Sequence, residues 1–305
     1  MAGVFVVGSI NQDFVLRVAR RPKPGETITD AELSLYPGGK GANQAIAAAR
    51  LGAKVAMFGR VGEDPFGREL VENLRENGVD INHVKTISEA PTGSAFVTVT
   101  PDSENAIVVS PGSNRWFGSE EVDAAAEDLK GARVLIAQLE VSVEPLEEAA
   151  RIVSDAGGRF LFNLAPPRKV SDALLCLSDP LVINEHEAAF LLGEDVQDPE
   201  ESARKLLEFG PSSAVLTLGD AGAILTTEGS ARHFPAPEVE AVDTTGAGDA
   251  FIGALAAKLT SGTALEEAVP YAVLAGAVAV TREGAQGSLP VPEEVEKLSD
   301  AGPDD

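Results

Sequence analysis

This 305-residue chain is poor in soft metal ligands and in cross-linking side chains. It has one cysteine, Cys176, and three histidines, His83, His186 and His233. A single thiol excludes an intrachain disulfide and a cysteine-rich zinc site. Cys176, within Ala173-Leu174-Leu175-Cys176-Leu177, reads as a buried small hydrophobe. His186-Glu187-Ala188-Ala189-Phe190 is not a zinc-binding HExxH pair, because Phe190 stands where the second histidine must be. His83 and His233 read as surface or turn residues. No GxGxxG follows the first apolar run, which argues against an NAD-binding Rossmann protein. The chain also lacks a long apolar run and a basic N-terminal region, since Val4-Phe5-Val6-Val7 reads as a strand almost from the start. Neither a signal peptide nor a membrane span is expected, and the expected compartment is the cytoplasm.

Lysine is scarce, with 9 against 15 arginines, while Asp and Glu together number 48, so the formal net charge is −24. Such a surface repels nucleic acid and anionic lipid, and neither is an expected partner. The acids are scattered rather than gathered in one run, apart from the short end at residues 300–305. Scattered acids with few lysines suggest a protein adapted to concentrated salt, a halophilic one, where self-repulsion is screened.

What the chain has is alternation. Short apolar, β-branched runs at Val4–Val7, Lys54–Phe58, Arg133–Ala137, Arg159–Phe162, Leu181–Ile183 and Ala214–Leu218 alternate with helical stretches. Strands apolar on both faces belong in a parallel sheet covered by helices, so the expected fold is α/β, doubly wound, as a single domain over residues 1–305. Asp64-Pro65 opens one helix with a cap and a first-turn proline, and Gly78 closes it. A long apolar helix is expected over Ala264–Arg282. Two segments break the rhythm. Residues 13–36 and 92–114, the second with a hairpin around Pro101–Glu104, are expected to form a small β-sheet lid standing off the main sheet.

The residues suited to chemistry cluster where strands or turns end. In Asp243-Thr244-Thr245-Gly246-Ala247-Gly248-Asp249 two glycines run into an apolar helix. Their bare backbone N–H groups and the helix dipole favour an anion, and Asp249 beside them is suited to take a proton. Gly38-Gly39-Lys40-Gly41-Ala42-Asn43 is a second glycine turn before a small-residue helix. It is not a Walker A loop, because Gly41 follows Lys40, and its mixed donors and acceptors suit a polyol. Asn11 and Asp13 follow the first strand. Glu140, Asn163, Asn184, Glu187, Thr217, Gly219 and Asp220 sit just past four others. Carboxyl ends of parallel strands are where open α/β sheets bind ligands, so one sheet edge is the expected binding crevice.

Taken together, these motifs resemble the ribokinase (PfkB) family of carbohydrate kinases over nearly the whole chain, from Val4 to about Pro290. Asp243–Asp249 is similar to the family's C-terminal signature, and Gly38–Ala45 to its N-terminal one in the form found in ribose-phosphorylating members. Val280–Ser288 matches that branch too. The resemblance implies ATP-dependent phosphorylation of D-ribose at its 5-hydroxyl. In it, Asp249 would be the general base, and the N–H groups of Gly246, Ala247 and Gly248 the anion hole for the γ-phosphoryl. Asn11, Asp13, Gly39, Lys40, Asn43 and Glu140 would hold the sugar. Asn184, Thr217 and Gly219, with Asp220 beside them, would line the ATP site, and Glu187 would act on Mg²⁺ through water. Asp243, Thr245, Ala279, Arg282, Gly284 and Ser288 match a monovalent-cation site for an activating K⁺, several by backbone carbonyl. The lid would also form a homodimer contact. Leu164 and Ile183 stand where the family commonly has proline, and neither removes a functional side chain. The same chemistry on deoxyribose, a nucleoside, fructose or ketodeoxygluconate is the near alternative, and a non-catalytic sugar or nucleotide sensor on this fold the distant one.

Overall fold

The structure, a computed structural model, describes residues 3–101 and 105–300. Thirteen strands are assigned among them: β1 (Val4–Val7), β2 (Asn11–Arg17), β3 (Glu32–Gly38), β4 (Val55–Gly62), β5 (Asp80–Ile87), β6 (Gly93–Val99), β7 (Asn105–Ser110), β8 (Val134–Ala137), β9 (Arg159–Asn163), β10 (Ser178–Asn184), β11 (Ser213–Thr217), β12 (Ala223–Thr227) and β13 (Ser230–Phe234). Nine form one sheet in the order β13-β12-β11-β10-β9-β8-β1-β4-β5, and four form a second in the order β3-β2-β6-β7.

The expected parallel core is there. Within β1, Val4 and Val6 turn to one hydrophobic layer and Phe5 and Val7 to the other, and all four are buried. Residues alternate across a strand, so burial of both parities requires helices on both faces. Three strands escaped the sequence reading. Strand β5 is a half-exposed edge, and β12 and β13 add antiparallel to β11 without a crossover helix. The small sheet pairs β2 with β3 and β6 with β7 antiparallel, but β2 with β6 parallel. Its strands fall largely within the expected lid segments, with β2 starting earlier at Asn11, β3 running on to Gly38, and residues 18–31 and 111–114 outside the sheet. The expected hairpin tip at Pro101–Glu104 lies outside the described residues beyond Pro101, as does the acidic end beyond Asp300.

Helix boundaries follow local chemistry. Asp64 caps Pro65–Glu76 by accepting from Gly67 N–H (2.8 Å), as its sequence indicates. The long helix runs Leu265–Ala279 and stops short of the expected Arg282, because the Val280 carbonyl leaves the helix to accept from Val242 N–H (2.7 Å) and Asp243 N–H (3.2 Å). Cys176 is not the buried hydrophobe expected. The five-residue helix Asp172–Cys176 buries Leu174 and Leu175, and the thiol is exposed. His83, expected at the surface or in a turn, is in a strand and partly exposed. It lies on β5 with its ring stacked on Phe58, 4.2 Å between centroids.

Chain order places the site. From β1 the chain moves outward to β4 and β5, then returns to β8 on the other side of β1. The β1/β8 gap is therefore a switch point, where an open sheet leaves a crevice at its carboxyl edge.

Candidate active site

Two helices converge on that crevice. Lys40–Arg50 starts from the second glycine turn and Ala247–Thr260 from the Gly246 turn. They pack closely: a Cβ built on Gly253 would overlap Ala47. The contact brings Asp249, one turn back, onto the start of the first helix. Asn43 Nδ2 donates to Asp249 Oδ2 (2.8 Å) and Gln44 Nε2 to Oδ1 (2.9 Å). Gly246 begins the second helix with φ 80, and a Cβ there would lie 2.9 Å from Ala285 Cα, so both conformation and space require glycine. Of the three N–H groups expected to form an anion hole, Ala247 N–H is directed to Thr244 O (3.3 Å). Those of Gly246 and Gly248 have no acceptor among the described hydrogen bonds.

A cavity of about 450 Å³ opens between this edge and the lid. It is lined by Asn11, Asp13, Gly39, Lys40, Asn43 and Glu140, the whole expected sugar set, with Gly246 and Asp249 beside them. Glu140 ties the set together. It accepts from Ser9 Oγ (2.5 Å), Lys40 N–H (3.3 Å) and Asn11 Nδ2 (3.5 Å). Asn114, unforeseen from sequence, fixes the β1–β2 turn by donating to Asn11 Oδ1 (2.7 Å) and accepting from Ile10 N–H (3.0 Å). Asp13 Oδ1 is buried with no hydrogen-bond partner among the described residues.

The electrostatics are unusual for so small a space. Burial, reinforced by Glu140 and Asp249, pushes the Asp13 carboxyl up to about 7, against the pull of Lys40. Burial also pushes Asp249 up, opposed by Lys40, Asn43 and Gln44. Lys40 shows the converse. Burial would lower it, but the carboxylates of Asp249, Glu140, Glu187 and Asp13 outweigh that and hold the ammonium above its usual range.

The remaining expected residues fall into two neighbouring groups. Asn184 and Thr217 lie side by side at the ends of β10 and β11, with Gly219 (φ 57) and exposed Asp220 in the following turn. Asn184 and Glu187 cap the helix Glu185–Leu192 reciprocally, each accepting from the other's N–H at 2.8 Å. Glu187 is buried, and burial raises its carboxyl. None of these five residues lines the 450 Å³ cavity, nor do Ala247, Gly248, Ala279, Arg282 or Ser288.

Asp243, by contrast, does line it and clamps two loops, accepting from Thr245 N–H and Gly284 N–H, both at 2.9 Å. Burial opposes its charge, but these bonds outweigh it and hold the carboxyl below its usual range. Thr245 and Gly284 border the cavity as well. The Arg282 guanidinium turns away to Glu294 (2.5 Å), Ser288 Oγ donates to Ala285 O (2.9 Å), and Ala279 O accepts from Arg282 N–H (3.3 Å). Among the described residues no group of three or more His, Cys, Asp or Glu could hold a metal ion. Any cation here would rest on Asp243 and backbone oxygens, a hard donor set that suits a large monovalent ion better than a transition metal.

The profile of the pfkB family carbohydrate kinases matches residues 1–292. The chain is 38% identical to a ribokinase of Haemophilus influenzae over 292 residues, 95% of each chain. It is 37% identical to a deoxyribokinase of Salmonella typhi over 291 residues, 94% of this chain and 95% of the other. A solved structure of Arabidopsis thaliana ribokinase complexed with ribose and ATP matches with a TM-score of 0.91 at 31% identity, covering 97% of this chain and 98% of that one.

Proposed function

Because the chain belongs to the pfkB family of carbohydrate kinases, we propose that it transfers the γ-phosphoryl group of ATP to the 5-hydroxyl of D-ribose, with Asp249 as general base. The enzyme is an ATP-dependent sugar kinase, and the relatives it matches over nearly its whole length include a ribokinase and a deoxyribokinase. The observation that carries the sugar assignment is Asp13 Oδ1, buried and without a donor among the described residues. An orphaned buried acceptor costs roughly 1–3 kcal/mol until a donor reaches it. Hydroxyls of a small polyol in the cavity, beside Lys40, Asn43 and Glu140, would supply donors and use acceptors at short range.

The reaction follows from the side chains. Asp249 takes the proton from the attacking hydroxyl, and Asn43 and Gln44 keep its two oxygens aimed. The unengaged N–H groups of Gly246 and Gly248 meet the charge that gathers on the phosphoryl oxygens. Lys40 offsets the crowd of carboxylates, so an anionic donor can approach. Asn184, Thr217, Gly219 and Asp220 would line the nucleotide end of the same sheet edge. When bound with the nucleotide, Mg²⁺ supplies charge neutralisation at the phosphates, and Glu187 is the residue that would hold it, through water. A monovalent cation such as K⁺ would rest on Asp243 and the carbonyls of residues 245, 279, 282 and 284, with Ser288, keeping the Gly246 turn in shape.

The lid supports a homodimer. On its face away from the cavity, Leu33, Leu35, Phe96 and Val108 are exposed together, and a second copy of the lid is the matching apolar partner. No helix among the described residues is long and apolar enough to cross a membrane, and a cytoplasmic enzyme is the reading we adopt.

Deoxyribose is the one specific alternative, because a deoxyribokinase matches nearly as well as the ribokinases do. ADP release with ATP and Mg²⁺, measured across ribose, deoxyribose, fructose, ketodeoxygluconate and nucleosides with and without K⁺, separates them. Ribose should give the highest kcat/KM, with K⁺ stimulating. A higher value for any other acceptor would replace the ribose assignment.

A further inference from the structure

Both oxygens of Asp249 terminate chains of side-chain amides. On one side Asn43 donates to Asp249 (2.8 Å), Gln286 Nε2 donates to Asn43 Oδ1 (2.9 Å), and Asn73 Nδ2 donates to Gln286 Oε1 (2.7 Å). Behind Asn73, Asn77 Nδ2 donates to Asn73 Oδ1 (3.4 Å), and Arg50 Nε donates to Asn77 Oδ1 (2.9 Å). On the other side Gln138 Nε2 donates to Gln44 Oε1 (2.5 Å), and Gln44 to Asp249 (2.9 Å).

An isolated amide can be turned either way. Here the ends decide. A guanidinium can only donate and an ionised carboxylate can only accept. Working inward from Arg50 or from Asp249 gives the same orientation for Asn77, Asn73, Gln286 and Asn43. Amides aligned in one sense polarise each other, and this sense favours the ionised carboxylate, against the burial that raises it. Gln286 has a second attachment. It lies two residues past Gly284, whose N–H is bound by Asp243, and its backbone carbonyl accepts from Arg50 Nη1 (2.8 Å).

We propose that Gln286 is a positioning residue for the phosphoryl-transfer reaction. It fixes the Asn43 amide so that an N–H, and not a carbonyl, meets the base, and it ties that setting to the loop held by Asp243. The inference rests on Asp249 being the base. Losing Gln286 frees Asn43 to turn, removes a donor from the charged form and raises the base further. The other charges facing Asp249 are Lys40 at the start of the first helix, Glu140 after β8, Asp13 on β2 and Glu187 at the start of its helix. All four remain in a Gln286 variant, so a shift on substitution belongs to the amide chain.

The test is Gln286→Met, which keeps the side chain's length and removes its amide. We would measure kcat at saturating ribose and ATP from about pH 5 to 9, because kcat reports ionisations of the bound complex whereas Asp13 of the free enzyme reads in kcat/KM. The base must be ionised, so activity falls as pH drops through its pKa. The acid limb should therefore move to higher pH by about half to one unit, with the plateau kcat lowered roughly 3–10-fold. A folded Gln286→Met with an unmoved limb overturns the proposal, even if kcat falls. If that variant does not fold, Asn73→Leu, at a half-buried position, should shift the limb in the same direction by less, and an unmoved limb there overturns it equally. An active Asp249→Asn would overturn the base assignment together with this inference. An unmoved limb with Asp249→Asn inactive overturns this inference alone.

Discussion

Gly253 lies against Ala47 one helical turn beyond the hydrogen bond from Asn43 to Asp249, so the closeness of two helices sets the distance between base and amide. A Cβ at 253 would also come within 2.7 Å of Ala48 N. Gly253→Val should therefore cost about 1–3 kcal/mol of stability through overpacking and lower kcat more than it changes KM for ATP. Pairing Gly253→Ala with Ala47→Gly should recover only the part of the Gly253→Ala loss that the Ala47 methyl causes, since the contact with Ala48 N remains. Denaturant titration and steady-state kinetics on Gly253→Val, Gly253→Ala, Ala47→Gly and the pair check this, and additive losses of the two single variants would contradict it.

Asp13 gives a pH prediction with a definite sign. Its folded value of about 7 lies above the unfolded value, so the fold binds the proton more tightly than the open chain does. The ligand-free enzyme should then lose stability from this group as pH rises from about 4 to 7, with no further loss above that. Asp13→Asn should remove that slope and raise Tm at pH 8, at about 2–4 °C per kcal/mol for a chain of this size, while abolishing ribose binding. Calorimetry and ribose titration at two pH values are sufficient. A variant that binds ribose normally, or is destabilised at pH 8, would refute the role.

These two cases mark what the sequence made legible. The buried strands, the glycine turns and the carboxylate beside them were readable, because apolar runs and glycine spacing are local signals. The six residues that the resemblance assigns to the sugar also lie around one cavity. Strand β5 was not, since its half-exposed residues carry no apolar run, and β12 and β13 broke the expected alternation by returning antiparallel. Gln44 and Gln286 escaped for a different reason. Each lies in or beside a motif, but its partners are far off in sequence, with Gln286 and Asn43 243 positions apart. Only the packing of helix on helix assigns them work. Cys176 shows the opposite error, since an apolar neighbourhood in sequence did not mean a buried position.

The lid predicts an assembly. Val108 is 69% exposed amid Leu33, Leu35 and Phe96. Val108→Asp should convert a dimer to a monomer in sedimentation analysis and leave ATP affinity unchanged. A wild-type monomer, or a variant that still dimerises, would remove the lid from the interface.

The charge of −24 predicts a response to salt. Self-repulsion among the scattered carboxylates is screened as the Debye length falls from about 10 Å at 0.1 M to about 3 Å at 1 M. Tm should rise steadily with KCl over that range. A flat or falling Tm would end the salt-adaptation reading and leave an ordinary acidic enzyme.

The central claim is that Asp249 takes the proton from the sugar hydroxyl. Its most direct test is ribose-dependent ADP release by Asp249→Asn, with ATP affinity measured on the same preparation. Asparagine keeps the shape and can still accept from one of Asn43 and Gln44 through its single oxygen, but it cannot take the proton. We predict kcat reduced roughly 10²–10⁴-fold with ATP binding unchanged. Turnover within a few-fold of the unaltered enzyme would contradict the account.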